Sequence, residues 1–160
     1  HVRRAIAFWT GSIASLPKEY LPVMHYNIGN AFNVLGDLAN AIEQYQSSLD
    51  LLAESPECLK NYASVLFQLG RKPEGVLLLE RALEINPRHP QSLLSLAIFN
   101  IQELQDFEHG VELLSSISLI YAPPRLSRLL RQWRAFANIK LKKFQEAILD
   151  LEEVVTKESD

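Results

Sequence analysis

Residues 25–56 read HYNIGNAFNVLGDLANAIEQYQSSLDLLAESP, and residues 59–90 read LKNYASVLFQLGRKPEGVLLLERALEINPRHP. The two stretches align without gaps at an interval of 34 residues, so that Gly36 of the first matches Gly70 of the second. The other matched positions that keep this interval are Asn27 with Asn61, Ala41 with Gly75 and Leu49 with Leu83. A fixed period of this length indicates one supersecondary unit that is repeated along the chain.

Each copy predicts two helices joined by a tight turn. In the first copy, apolar residues recur at three- and four-residue spacing, the period of an amphipathic helix, at Ile28, Ala31, Phe32 and Leu35. Gly36 is expected to end this helix, since glycine tolerates the left-handed conformation of a helix terminus. Asp37 is expected to cap the next helix. Gly29 and Ala41 are small, which indicates that the two helices approach closely there.

The same frame extends to both sides of these two copies. The small positions of the third and fourth copies are Ala97 with Gly110 and Ala135 with Ala147. The third copy has one extra residue in its turn, and in the fourth copy Lys142 stands at the position of the turn glycine. Ala53 replaces the proline that closes the second copy. Residues 1–17 match only the second half of a copy, so they are expected to form a second helix without its first.

Nine helices are therefore expected. Prolines fall at their predicted ends or first turns, where a missing backbone N–H costs little. The predicted helices lie near residues 2–15, 22–35, 38–52, 56–69, 73–85, 90–103, 107–120, 124–141 and 144–157.

This pattern resembles the tetratricopeptide repeat. The residues that carry the resemblance are Asn27-Ile28-Gly29, Phe32, Gly36-Asp37, Ala41, Tyr45 and Leu49, then Asn61, Ala63, Leu66, Gly70, Gly75, Ala82 and Asn86-Pro87. The resemblance implies an all-α fold, a right-handed superhelical stack of antiparallel helical hairpins, or α-solenoid. A single domain is expected over 1–160, with a second helix and linker at 1–21 and repeats at 22–55, 56–89, 90–123 and 124–157.

Composition and charge are those of an ordinary globular protein, with 48% hydrophobic and 22% charged residues. The net charge of −3 gives no reason to expect nucleic acid or an anionic membrane as a partner. No apolar run approaches the length of a membrane span. The single cysteine, Cys58, is compatible with a reducing compartment, and a cytoplasmic location is favoured. Since the chain begins at His1, it is expected to be an excerpt of a longer protein.

No arrangement of residues indicates catalysis, a metal site or a cofactor site. The four histidines are scattered over different copies, which indicates solvent-facing or turn positions. Cys58 has no base nearby in the sequence, so a structural thiol is expected. Aromatic residues stand at helix-packing offsets, which favours a core role for Trp9, Phe32, Tyr45, Phe67, Trp133 and Phe144.

In the family that the sequence resembles, the first helices of successive hairpins line a groove that receives a peptide or a helix of another protein. The resemblance places in this groove Tyr26, Asn27, Asn30, Asn33, Lys60, Asn61, Ser64, Gln68 and Gln91. Asn27 and Asn61 occupy the position of asparagines that bond a bound peptide backbone, which a side-chain amide suits because it donates and accepts. The equally weighted alternative is that Asn27 belongs only to a structural Asn-Ile-Gly signature.

A basic strip is predicted in the fourth copy. Residues 124–143 contain seven basic residues and no acidic one, so the rest of the chain carries −3 − 7 = −10. Three-residue spacing brings neighbouring arginines to one side of a helix, namely Arg125, Arg128, Arg131 and Arg134. Pairing with the acids of the following helix is favoured. The alternative is a docking strip whose arginines grip an acidic partner segment.

The leading hypothesis for function is a protein-binding scaffold that holds a peptide or helix of a partner, without enzymatic activity. One alternative is a regulatory or substrate-docking region of a larger enzyme, such as a bacterial transferase. Another is self-association through exposed terminal helices, since the first segment lacks its partner helix and leaves Ile6, Phe8 or Trp9 uncovered.

Overall fold

The computed structural model describes residues 1–52, 54–120 and 122–156, and in these ranges the chain forms nine α-helices and no strand. The helices are α1 (Val2–Ser12), α2 (Leu21–Val34), α3 (Leu38–Leu51), α4 (Pro56–Gln68), α5 (Lys72–Ile85), α6 (Pro90–Phe99), α7 (Phe107–Ser115), α8 (Pro124–Lys140) and α9 (Phe144–Thr156). The predicted all-α fold with about nine helices is confirmed. Two residues used in the sequence predictions lie outside the described ranges. They are Ala53, which replaces the closing proline, and Lys157, the last residue of the predicted fourth repeat.

The turns between paired helices form as the sequence predicts. Gly36 and Gly70 both have φ of 75°, the left-handed conformation that glycine adopts without strain. The backbone N–H of Asp37 then bonds the carbonyl of Phe32 at 3.0 Å, which satisfies one of the free carbonyls at the end of α2. The Asp37 carboxylate accepts a bond from the backbone N–H of Asn40 at 3.3 Å and so caps α3.

The extra residue of the third copy lies in a helix and not in the turn. Asn100–Leu104 form a π-helical turn at the end of α6, in which each carbonyl is bonded one residue further along the chain than in an α-helix. The backbone N–H of Asp106 consequently reaches back six residues to Asn100, whereas that of Asp37 reaches back five residues to Phe32. The insertion therefore leaves the turn itself intact.

Lys142 adopts the conformation of the glycine that it replaces, with φ of 61°. A side chain in the left-handed region costs about 1–2 kcal/mol, and part of this cost should be recovered by glycine. We expect Lys142→Gly to raise the free energy of unfolding by about 0.5–1 kcal/mol, measured by chemical denaturation. Glu152→Gly, at an exposed position inside α9, should instead lower the free energy of unfolding by about 1 kcal/mol. A loss of stability in both variants would contradict this account of the turn.

The predicted helix at 107–120 is too long, since α7 ends at Ser115. The serine-rich stretch after it favours bonds between side chain and backbone over a continued helix, and the Ser116 hydroxyl donates to the carbonyl of Leu113 at 2.7 Å. The predicted helix at 2–15 also changes character, because Ile13–Ser15 form a 3₁₀ turn.

The chain divides into two compact units, His1–Pro87 and Arg88–Asp160, a division that falls near the predicted boundary between the second and third repeats. In the first unit, a core cluster on α3 and α4 contains the buried residues Ala41, Tyr45, Cys58, Tyr62, Val65 and Leu66. A second cluster joins α1 to α2 through Ile6, Ile28 and Ala31, with Trp9 packed against it. The prediction that Ile6 and Trp9 lie uncovered is therefore wrong, whereas Phe8 is 70% exposed.

The small positions mark the close helix contacts within each unit. A Cβ atom on Gly29 would lie 2.8 Å from the Tyr45 ring, and one on Gly75 would lie 2.8 Å from the Phe67 ring. In the second unit, a Cβ atom on Gly110 would overlap the side chain of Ile101. The alanines at these offsets are buried as well: Ala41, Ala63, Ala97, Ala135 and Ala147. The predicted close approach is thus observed in the first three hairpins, and in the fourth both small residues are buried.

Candidate functional site

In the first unit, part of the predicted groove is a hydrogen-bonded cluster that joins α2 to α4. The Asn61 amide donates to the Tyr26 hydroxyl at 3.0 Å and to the Asn30 side-chain oxygen at 2.8 Å. The same Asn30 oxygen accepts from the hydroxyl of buried Tyr45 at 2.7 Å. Both N–H groups of the Asn61 amide are therefore used within the chain, and Asn61 has none left to offer a peptide backbone.

The other predicted groove residues differ in accessibility. Asn27 is exposed, and within the described ranges its side chain makes no hydrogen bond. Gln68 donates to the side-chain oxygen of Asn33 at 3.2 Å, so these two residues also join α2 to α4. Ser64 is half-buried, and Gln91 is exposed at the start of α6 in the second unit.

Lys60 is drawn into the same cluster. Its ammonium group donates to the Asn61 side-chain oxygen at 2.5 Å. Burial lowers the pKa of Lys60, because the surrounding side chains replace water around the charge. The cluster thus holds the charge of Lys60 against an amide instead of presenting it at the surface.

The two matched asparagines should therefore differ in their effect on stability. We expect Asn61→Ala to lower the free energy of unfolding by about 1–2 kcal/mol, because half-buried Tyr26, Asn30 and Lys60 lose their partner. Asn27→Ala should change it by less than about 0.5 kcal/mol. Chemical denaturation of the two single variants measures the difference, and equal losses would show that the Asn61 bonds contribute nothing.

A small cleft of about 280 Å³ lies beside Asn27 in the first unit. Its lining is mostly uncharged, with Glu57 as the one charged residue among Pro22, Val23, Tyr26, Asn27, Ser48, Leu52, Ser55 and Glu57. Asn27 is the predicted groove residue whose amide can still offer donors and an acceptor to a peptide here.

A larger cleft, of about 930 Å³, opens in the second unit between the π-helical turn and α8. It is lined by Ile101, Gln102, Glu103, Gln105, Phe107, Leu129, Gln132, Trp133, Phe136 and Lys140. Sequence reasoning assigned Trp133 to the core and did not single out the other members. The missed signal is the spacing of Leu129, Trp133, Phe136 and Lys140 along one face of α8.

The aromatic residues of this cleft form a defined apolar surface. Trp133 and Phe136 stack edge to face with ring centroids 6.0 Å apart, and the Lys140 ammonium lies 5.4 Å from the Phe136 ring centroid. Three glutamines, Gln102, Gln105 and Gln132, add amides that can bond a peptide backbone. The cleft combines apolar side chains with a similar number of polar and charged ones, so it can contact both an apolar side chain and the backbone of a peptide.

The predicted basic strip separates into two halves. Arg134 makes a bidentate pair with buried Asp150, at 2.7 and 2.5 Å. Arg131 lies 3.6 Å from the same carboxylate and 3.4 Å from that of Glu153. Pairing with the following helix, the favoured interpretation, is observed for these two arginines. Arg125 and Arg128 are exposed.

The ion pairs of Arg131 and Arg134 with α9 join the two helices. The hydrogen bonds that Arg134 donates to Asp150 raise the pKa of Arg134, which keeps its guanidinium charged. Arg131 is mostly buried, and its Nε atom has no hydrogen-bond partner in the described part of the chain. This leaves α8 held to α9 by charge as well as by apolar packing.

The thiol and imidazole groups show no sign of reactivity. Burial raises the pKa of Cys58 to about 11, so the thiolate is scarce near neutral pH. His89 lies in the connection between α5 and α6, as predicted for a turn histidine, but it is buried and its Nδ1 atom lies 2.8 Å from the Ser92 hydroxyl. His25 Nδ1 lies 2.9 Å from the Gln44 side-chain oxygen. Over the described residues, no three metal-ligating side chains come together.

Of the aromatic residues predicted for the core, some are buried and others are exposed. Tyr45 is buried between Tyr26 and Tyr62, with ring centroids 6.3 Å apart in each pair. Phe144 is 57% exposed, so its predicted core role is wrong. None of the helices in the described ranges has the length and hydrophobicity that a membrane crossing needs.

Paired antiparallel helices with small residues at the crossings, left-handed turns and a 34-residue period together define the tetratricopeptide repeat class. Residues 22–89 match the family described as YpiA-like, C-terminal tetratricopeptide repeats. Residues 22–89 thus match tetratricopeptide repeats, and the fold class of the chain is that of an α-solenoid.

Individual relatives are more distant. The photosystem I assembly protein Ycf3 of Prochlorococcus marinus is 31% identical over 84 residues, which cover 51% of this chain and 49% of that protein. The chain thus aligns with about half of the length of this relative.

Solved structures share the fold over nearly the whole chain. A crystal structure of MamA has a TM-score of 0.78 at 17% identity and covers 99% of this chain and 89% of its own. That of YrrB, described as a TPR protein with an unusual peptide-binding site, has a TM-score of 0.70 at 15% identity and covers 99% and 79%. At these identities the likeness concerns the fold alone.

Proposed function

We propose that the chain is a non-enzymatic scaffold that binds a peptide or a helix of another protein in the cleft of the second unit. The observation that carries this proposal is the open apolar surface formed by Trp133, Phe136 and Leu129 next to free-standing amides. Proteins of the tetratricopeptide repeat family bind other proteins, and the relatives include an assembly protein and a peptide-binding protein.

The chemistry of the cleft selects a class of ligand. Its apolar floor fits an aromatic or large aliphatic side chain, which would gain from leaving water. Gln102 and Gln132 can bond the backbone beside that side chain, whatever its sequence. Glu103 and Lys140, of opposite charge, both line the cleft, so no strong charge preference is expected.

A charge placed on the apolar floor should weaken binding and leave the fold intact. Phe136→Glu is the variant, because this side chain is 43% exposed and so can be replaced without opening the core. We expect it to weaken binding of a captured partner by at least about tenfold, as is typical when a central aromatic contact is lost. Isothermal titration of wild type and variant with the captured partner measures this.

Phe8→Glu is the matched control, since Phe8 is an exposed phenylalanine on α1 in the other unit. It should bind the partner as wild type does. Equal binding by the Phe136→Glu protein and wild type would contradict the proposal. So would an equal loss in the Phe8→Glu control.

A further inference from the structure

A third cleft, of about 340 Å³, opens in the second unit between α7, α8 and α9. Asn138 lines this cleft and is only 3% exposed. Its side-chain amide makes no hydrogen bond to any described residue. Buried polar groups are nearly always hydrogen-bonded, and the cleft is much larger than the roughly 10–30 Å³ that one structural water needs. The unsatisfied amide therefore indicates a larger polar occupant.

Asn138 stands at a position that is apolar in the first two copies of the repeat. Counted back four residues from the turn, it matches Phe32 of the first copy and Leu66 of the second. Both of these side chains contribute to the core cluster of the first unit. Because no described residue uses the amide of Asn138, packing within the chain does not explain the exchange.

Two opposite charges on the lining of the cleft are unpaired as well. Lys143 and Glu146 are exposed, and over the described residues the side chain of neither makes an ion pair or a hydrogen bond. The matching residues of the second copy, Arg71 and Glu74, bond each other twice, at 2.7 and 2.6 Å. The planar fork of an arginine fits a carboxylate in this way, whereas a lysine ammonium is a point charge. Lys143 and Glu146 thus stay available to a ligand.

The cleft does not lie on the side of α9 that a following helix would cover. In the first unit, the helix after α3 packs against the α3 residues Leu38, Ile42, Tyr45 and Leu49. Asn40 and Glu43 of α3 match Glu146 and Leu149, and both are exposed although α4 is in place. The opening of the cleft is therefore set by α7, α8 and α9 themselves.

We propose that this cleft binds a free α-amino acid with an apolar side chain. Lys143 bonds the carboxylate of the ligand and Glu146 bonds its ammonium group, because residues three apart on a helix are neighbours, as are the two charges of an amino acid. The Asn138 amide donates to the carboxylate and accepts from the ammonium group. Val111 and Leu149 are the apolar residues of the lining, and they contact the apolar side chain.

The charge balance of the cleft favours a ligand with both charges over a simple ion. Arg134 and Asp150 also line the cleft, but they are paired with each other. With Lys143 and Glu146, the lining holds two positive and two negative side chains, so it has no net charge. A simple anion would be repelled by Glu146 and a simple cation by Lys143, whereas an amino acid satisfies both.

Nuclear magnetic resonance of the full chain with L-leucine tests the site through the side-chain amide signals of Asn138. We expect these signals to shift and to saturate, with a dissociation constant on the order of 0.1–1 mM because the ligand is small. N-acetyl-leucine lacks the ammonium group and leucine methyl ester lacks the carboxylate. Each should bind at least about fivefold more weakly than leucine, because one charge-assisted bond is lost.

Charge-removing variants test which residue contacts which end of the ligand. Glu146→Gln should weaken the binding of leucine at least about threefold and leave that of N-acetyl-leucine unchanged. Lys143→Gln should weaken the binding of leucine equally and leave that of the methyl ester unchanged. Glu152→Gln is the matched control, since Glu152 is exposed on α9 and does not line the cleft. It should bind leucine as wild type does.

Asn138→Leu, which introduces the residue of the second copy, separates binding from folding. We expect it to abolish leucine binding without lowering the midpoint of chemical denaturation, because the amide has no partner within the described chain. Asn138→Ala is the second variant, in case leucine does not fit the space. Circular dichroism should show unchanged helix content in both variants. The amino-acid site is independent of the proposed partner-binding cleft, because it uses other residues and another readout.

Four results would overturn the amino-acid site. The first is the absence of a saturable shift of the Asn138 signals up to about 20 mM leucine. The second is equal binding of leucine and either of its blocked forms, which would make the occupant a simple ion. The third is a loss of leucine binding in Glu152→Gln as large as in Glu146→Gln. The fourth is leucine binding by both Asn138 variants that equals that of wild type.

Discussion

Replacing Asp150 by alanine is expected to lower the free energy of unfolding by about 3–5 kcal/mol, the cost of breaking a buried ion pair by removing one partner. The Asp150 carboxylate is buried and accepts two bonds from Arg134, at 2.7 and 2.5 Å, and it lies 3.6 Å from Arg131. Both arginines are mostly shielded from solvent, so neither regains full hydration when the carboxylate is lost. Chemical denaturation of the full chain measures the change.

The control for this prediction is Glu152→Ala, at an exposed position two residues further along α9. Its free energy of unfolding should stay within about 0.5 kcal/mol of wild type. Asp150→Asn, which keeps the shape and one acceptor, should fall between the two. A loss for Asp150→Ala no larger than that for Glu152→Ala would mean that the buried pair does not hold α8 to α9.

Gly29→Leu should be the second severe change, with a loss of about 3 kcal/mol, at the upper end of the range for overpacked cores. A Cβ atom at this position already lies 2.8 Å from two carbons of the Tyr45 ring, and Tyr45 is completely buried. The ring cannot move away without breaking its bond to Asn30. Thermal and chemical denaturation both report the loss.

Gly11 offers the matched comparison on α1, because nothing lies within 4 Å of a Cβ atom there. Gly11→Leu should raise the free energy of unfolding by about 0.5 kcal/mol, through the better helix propensity of leucine. If Gly29→Leu and Gly11→Leu had the same effect, the close approach of α2 and α3 would not be the reason for a glycine at position 29.

The hairpins were predictable because the local signals and the period agree. Each turn is specified by neighbouring residues, such as Gly36 for the left-handed turn and Asp37 for the cap. The π-helical turn could be predicted only in part. The 35-residue interval from Gly70 to Gln105 shows that one residue is inserted, but an insertion can be absorbed in the turn or in the helix before it.

The site was less predictable because it depends on which helix faces are covered. Trp133 stands at a helix-packing position of the repeat. Whether a side chain at this position is buried or exposed depends on the elements that pack against α8. The acidic partners of Arg131 and Arg134 could not be assigned from the sequence for a related reason. Several acidic residues of α9 are candidates for each arginine when only the sequence is considered. Asn61 matched a peptide-binding position, yet the side chains of Tyr26 and Asn30 beside it use its donors.

Hydrogen–deuterium exchange with and without a captured partner tests the central claim most directly. The proposed function predicts that binding slows exchange in residues 101–105 and 129–140, which line the larger cleft. Exchange in α1 should stay unchanged. Protection confined to α1, with residues 129–140 exchanging as in the free protein, would contradict it.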